Sequence, residues 1–156
     1  MKKDIFIDNN IAKNFANPMD PEYKKLLSWL KTHNLNKNTD AYLVASKKLL
    51  EEYISTSGQC NASTNICAIV AVLQSQGRLD TFTNNQIKQF CTTHYKKHVV
   101  KDMTCSDIDR NYHIPTVLLS ERRYALSIDD AFIRDLLNFP GFTAVAAKRP
   151  ENLNYT

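Results

Sequence analysis

Asp4-Ile5-Phe6-Ile7-Asp8 (DIFID) opens the chain with three consecutive apolar residues, closed by an acid and two asparagines. An apolar run without polar alternation reads as a strand covered on both faces, the pattern of a parallel sheet. Residues 41–45 (AYLVA) repeat the pattern after a polar loop at 34–40 (NLNKNTD). Between the two runs, Pro18 and Pro21 break the chain ahead of a helix expected near 21–33. There Tyr23, Leu26, Leu27 and Leu30 fall on one helical stripe.

Further along, Ser46 is placed to cap a helix near 47–56 with Leu49, Leu50, Tyr53 and Ile54 inward. Ile66, Ile69, Val70 and Leu73 make the apolar face of a helix near 62–76, which Gly77 stops. Another helix is expected near 84–96, and Val99-Val100 mark a short strand near 98–102. Ser106, Asp107 and Asp109 start a helix to about Ser120, in which Pro115 is tolerable only near the first turns. A strand at 123–127 (RYALS), a helix at 129–138 and a strand at 142–147 (FTAVAA) complete the order. The alternation β-α-β-α-α-β-α-β-α-β implies an α/β fold, a three-layer α/β/α sandwich with a five-stranded parallel sheet. With no repeat, low-complexity tract or Gly/Ser linker, residues 1–156 read as a single domain.

Composition narrows the function classes. The 156 residues carry 20 Lys+Arg against 16 Asp+Glu, a formal net charge of +4, with 43% apolar and 23% charged residues. Gly58, Gly77 and Gly141 are isolated, which excludes a dinucleotide fingerprint or a phosphate-cradling P-loop. No apolar run approaches the roughly 20 residues a bilayer span needs, so no membrane association is expected. The N-terminal MKKDIFIDNN lacks the apolar core of a signal peptide, and a cytoplasmic protein is expected. There Cys60, Cys67, Cys91 and Cys105 should be reduced thiols. Cys91, His94 and His98 share a helical face, but so do Ile87 and Phe90, and no fourth ligand accompanies them; the stripe reads as packing.

Ligands bind at the carboxyl ends of parallel strands, and that edge collects acids. Asp8 ends the first strand, and Glu51 and Glu52 lie in the helix after the second. Asp107 and Asp109 open the helix after the third, and Asp129 and Asp130 follow the fourth. Helix capping accounts for the last four singly, and a solvated helix face for one of the two glutamates. Asp8 has no such explanation, because it closes an apolar strand beside no evident cation. Taken jointly, the acids would repel unless a positive charge sat among them. Oxygen-rich sites of this kind suit Mg²⁺ or Mn²⁺, and metal-assisted phosphodiester cleavage uses such an arrangement.

In order and spacing the blocks I7-D8-N9-N10, YLVAS–KKLLEEY, CSDIDRNYH and A125-L126-S127-I128-D129-D130-A131-F132 resemble the PIN-domain family of metal-dependent nucleases, which includes VapC-type toxins. The resemblance spans approximately residues 4–147. It places Asp8, Glu52, Asp109 and Asp129 at the acidic positions. Glu51, Asp107 and Asp130 are the alternatives, and Asn9 stands where Thr or Ser is commoner. It implies a metal-dependent endoribonuclease holding one or two Mg²⁺ or Mn²⁺ ions on these acids, with Asp107 and Asp130 as further candidate ligands. Asn10 and Ser127 would orient carboxylates or bound water. Single-stranded RNA would be the substrate, cut to leave a 5′-phosphate and a 3′-hydroxyl. A cognate antitoxin and a homodimer are the implied partners. Lys13, Lys47 and Lys48, following the first two strands, are candidate phosphate contacts. Arg122 and Arg123 precede a strand and should lie at the opposite edge. A catalytically inactive RNA-binding or protein-interaction module of the same fold is the alternative expectation.

Overall fold

The computed structural model describes residues 2–16, 21–32, 41–59, 62 and 65–153. The polar loop at 34–40, Pro18 and Cys60 lie outside them, as do residues 63–64 of the helix expected over 62–76. Ile5, Phe6 and Ile7 of β1 (Lys3–Ile7) are fully buried, which suits a strand sandwiched between helices, and β1 is the central strand of the sheet. On one side it pairs with β2 (Ala41–Ser46), Ile5 opposite Leu43. On the other it pairs with β4 (Tyr124–Leu126), Phe6 opposite Ala125. With β3 (Leu79–Phe82) outside β2 and β5 (Val145–Ala147) outside β4, the order is β3-β2-β1-β4-β5, all parallel. Helices cover both faces, giving the three-layer α/β/α arrangement.

The connections are helical: α1 (Asn9–Ala12), running on as a 3-10 turn, and α2 (Pro21–Lys31) lead to β2. The helices α3 (Lys47–Ser57) and α4 (Ile66–Ser75) lead to β3. After β3 come α5 (Asn84–His94), α6 (Lys97–Asp102) and α7 (Ile114–Leu119), and α8 (Asp130–Leu137) joins β4 to β5. The chain steps one way from β1 to β2 and β3 and the other way to β4 and β5. The crevice between the carboxyl ends of β1 and β4 is therefore the topological switch point, where open α/β sheets bind ligands.

One strand assignment is corrected. Residues 97–102 (KHVVKD) are helix α6, and the third strand is Leu79-Asp80-Thr81-Phe82. Gly77, at φ +70°, turns the chain out of α4, and Arg78 O accepts the Leu43 N–H (3.0 Å), which starts the pairing with β2. In α6 only Val99 of the valine pair is buried; a one-sided short helix accounts for it as well as a strand would. At the amino edge, buried Asp4 accepts the Glu121 and Arg122 N–H groups (2.8 and 2.9 Å) and fixes the entry to β4. Arg122 and Arg123 stand at this amino end. The Arg122 guanidinium lies over the Tyr124 ring at 4.1 Å and that of Arg123 over Phe142 at 5.0 Å. Among the described residues no helix is long and apolar enough to cross a membrane.

Candidate metal centre at the carboxyl edge

β1 ends at Ile7, so Asp8 emerges at the switch point, where its N–H bonds Leu126 O of β4 (2.9 Å). Its extended backbone makes it the N-cap of α1, and Oδ1 accepts the Asn9 N–H at 2.8 Å. Oδ2 accepts the Ser127 hydroxyl at 2.6 Å and the Asn10 amide at 3.3 Å. Ser127 Oγ spends its proton on Asp8, and its oxygen accepts from Asn10 Nδ2 (3.2 Å) and the Asp129 N–H (3.1 Å), its full capacity. Asn10 Oδ1 accepts the Ile128 N–H (3.2 Å), tying the loop after β4 to the helix after β1. Asp129 caps α8 through Phe132 N–H (3.1 Å). Burial pushes the Asp8 carboxyl above the ordinary carboxylate range. Ser127, the His113 charge and Asn9 offset part of that, and Glu52 adds to it.

Ser46 caps α3 through the Leu49 N–H (3.1 Å), and Glu52 follows in the second turn. The next residue, Tyr53, is fully buried and donates its hydroxyl to Ile7 O, so α3 is pinned to the last residue of β1. Glu52 Oε1 meets His113 Nε2 at 2.6 Å. His113 is 1% exposed, its ring lies 5.5 Å from that of Phe6, and Nδ1 has no hydrogen-bond partner among the described residues.

His113 and Asp109 are brought to one side by a turn that is not α-helical. Residues Asp109–His113 form a π turn, the Ile114 N–H bonding Asp109 O five residues back. Such a turn stacks residues four apart more nearly than an α-helix does, and both side chains are buried. Pro115, next in the chain, has no N–H for the carbonyls of the preceding turn. Tyr95 supplies a donor from outside, its hydroxyl bonding Arg110 O. The Asp109 carboxyl is pushed up to about 6, chiefly by burial and further by Asp8 and Asp129, with His113 and Ser106 opposing.

Burial separates the doubled acids. Asp8 and Asp109 are each 7% exposed, and Glu52 and Asp129 are half-buried. Glu51 faces solvent; Asp107 is exposed and pairs with Arg110 at 2.8 Å; Asp130 is exposed and pairs with Lys148 at 2.5 Å. The structure therefore brings Asp8, Glu52, Asp109, Asp129, Asn10 and Ser127 together and leaves Glu51, Asp107 and Asp130 outside. Lys13 follows α1, and Lys47 and Lys48 open α3, so all three stand at the carboxyl edge; Lys13 and Lys47 are exposed.

The residue that sequence reasoning missed is His113. Its only signal is the Asp-x-x-x-His spacing in DRNYH, two residues ahead of a proline. The stripe drawn through Cys91, His94 and His98 divides: His94 stacks on Phe90 (4.5 Å) and Phe142 (5.0 Å), while His98 is exposed on α6.

Asp8, Glu52 and His113 each offer a ligand atom, and these atoms lie within 4.8 Å of one another. Two carboxylates and an imidazole at that spacing fit a divalent cation, and Asp109 and Asp129 add negative charge beside them. No known family model matches the chain, and no curated protein matches it.

Proposed function

We propose that the protein is a metal-dependent endoribonuclease of the PIN-like type its sequence resembles. The observation that carries this reading is the selective inward placement of one acid from each doubled pair. Glu52, Asp109 and Asp129 join Asp8 around a buried imidazole at the switch point, and their neighbours face water. Capping accounts for Asp8 at α1 and Asp129 at α8, but not for the burial of Asp109 or for Glu52 facing His113. A divalent cation bound there supplies an activated water and stabilises charge on a phosphate.

The chain's own residues do the rest. Asp8 and Glu52 offer oxygens to the ion, and Ser127 and Asn10 hold the Asp8 carboxylate in one orientation. Asp109 and Asp129 add negative charge beside them, Asp109 close enough to feel Asp8, Asp129 and His113. Lys13, Lys47 and Lys48 stand on the flanks, where a single-stranded RNA backbone would need cations. A cognate antitoxin, a homodimer and a cytoplasmic setting belong to the same reading. Its cellular test is growth arrest on induced expression, relieved by Asp8→Asn; harmless expression of the wild type counts against a toxin.

The biochemical test is cleavage of a labelled single-stranded RNA with Mn²⁺ and with chelator. The expected result is Mn²⁺-dependent cutting with 5′-phosphate products, reduced at least about 100-fold in Asp8→Asn, a transition-state loss of about 2.7 kcal/mol. Wild-type protein that binds Mn²⁺ and leaves both RNA and DNA intact would overturn the enzyme reading. One observation favours a second reading: Glu52 Oε1 already has His113 Nε2 as a hydrogen-bond partner at 2.6 Å with no ion at all. An inactive RNA-binding or protein-interaction module would use it so, and would bind no Mn²⁺.

A further inference from the structure

We propose that His113 Nε2 is itself a ligand of the bound ion, so that the site selects a first-row transition metal over Mg²⁺. The inference rests on the metal-dependent reading above and goes beyond it, since the acids alone suit Mg²⁺ and Mn²⁺ alike. Three observations carry it. The imidazole is 1% exposed, its Nε2 lies 2.6 Å from Glu52 Oε1, and a ring nitrogen and one oxygen each of Asp8 and Glu52 lie within 4.8 Å of one another. Without an ion Nε2 donates its N–H to the Glu52 carboxylate, and a bound ion would take the place of that proton, leaving the imidazole its proton on Nδ1, which is buried and has no hydrogen-bond partner among the described residues. The π turn, with Pro115 behind it and Tyr95 satisfying the Arg110 carbonyl, holds Asp109 and His113 buried together.

The chemical consequence follows from donor preference. Carboxylate oxygens serve Mg²⁺, Ca²⁺ and Mn²⁺, and Mg²⁺ keeps its waters and seldom takes nitrogen. Imidazole favours the transition-metal ions, with affinity rising from Mn²⁺ onward through the divalent series. A face of two carboxylates and one imidazole therefore discriminates against Mg²⁺ despite its abundance. A helix carrying the same acids without His113 would not.

The test uses the full chain after chelator treatment, with Mn²⁺ and Mg²⁺ as probes. Pulsed electron paramagnetic resonance of the Mn²⁺-loaded wild type should show modulation from a directly coordinated ¹⁴N nucleus. Calorimetry should give an Mn²⁺ affinity at least about tenfold above that for Mg²⁺. His113→Gln retains an N–H for Glu52 and removes the imidazole nitrogen. In that variant the ¹⁴N signal should vanish and the Mn²⁺ affinity fall about tenfold or more, with Mg²⁺ affinity changed less than about threefold. Mn²⁺ bound without a coordinated ¹⁴N, or equal loss of both ions in His113→Gln, would overturn the inference. His113 would then be an ion-pair partner of Glu52 only, and the nuclease reading would stand. A wild type that binds no Mn²⁺ would overturn both.

Discussion

Ser127 accepts two hydrogen bonds and donates one, and all three converge on holding Asp8. Ser127→Ala leaves the buried Asp8 carboxylate one donor short, frees the Asp129 N–H and leaves the Asn10 amide only its bond to Asp8. The expected outcome is a stability loss of about 1–3 kcal/mol in urea unfolding and Mn²⁺ binding about tenfold weaker by calorimetry. Asp109 gives a prediction in pH. Its folded pKa, about 6, lies above its ordinary value of 3.8, so the folded state holds the proton more tightly. The stabilising contribution of the protonated acid is full below about pH 4 and is lost as pH rises through 6. In chelator, Asp109→Asn should be more stable than wild type at pH 7, by on the order of 1–3 kcal/mol, and equal to it near pH 4. A variant no more stable at pH 7 would contradict the burial of that charge.

At this scale the sequence told most about Asp8, an acid that closes an apolar strand with no evident cation nearby, although its capping of the short helix α1 went unread. The imidazole it faces is that of His113, 105 positions away, which proximity in sequence cannot reveal. Glu52 rather than Glu51 follows from the inward stripe of Leu49 and Tyr53, whereas Asp107 and Asp109 become separable only once the π turn is known.

Among the elements, the strongly patterned segments match expectation to within a few residues: β1, β2, α3 and α8. The third strand does not, and the reason is size. A four-residue edge strand, LDTF, with two half-buried apolar ends gives almost no alternation signal, while Val99-Val100 offers a β-branched pair that tertiary packing uses as helix. The helix expected from 106 onward starts with an α turn at 107–108 and passes into a π turn ahead of Pro115, which lacks a donor, with the Tyr95 hydroxyl bonding Arg110 O. Tyr95→Phe should therefore destabilise the fold by about 1–3 kcal/mol, the cost of an unmet buried carbonyl, measured by chemical denaturation. Unchanged stability would mean that water satisfies Arg110 O.

Over the whole molecule the +4 total conceals a dipolar arrangement. Negative charge gathers at the switch point, and Lys13, Lys47 and Lys48 stand beside it on the same sheet edge. The double substitution Lys47→Glu with Lys48→Glu should weaken single-stranded RNA binding and lower the slope of log affinity against log salt by roughly 1.4, with Mn²⁺ affinity unchanged. An unaltered slope would place the RNA elsewhere. The sheet class was readable from four of the five strand-like runs, the one at 98–102 being helix, but the order β3-β2-β1-β4-β5 and the crevice it creates were not, because order depends on which long-range pairings the chain closes. The acids gain meaning from that crevice alone.

The most direct measurement of the central claim is anomalous scattering from a crystal soaked in Mn²⁺. The expected result is a peak at the carboxyl ends of β1 and β4, in ligating contact with Asp8, Glu52 and His113, with Asp107 and Asp130 remote from it. No peak there in fully soaked crystals, or Mn²⁺ held instead by Asp107 or Asp130, would contradict it.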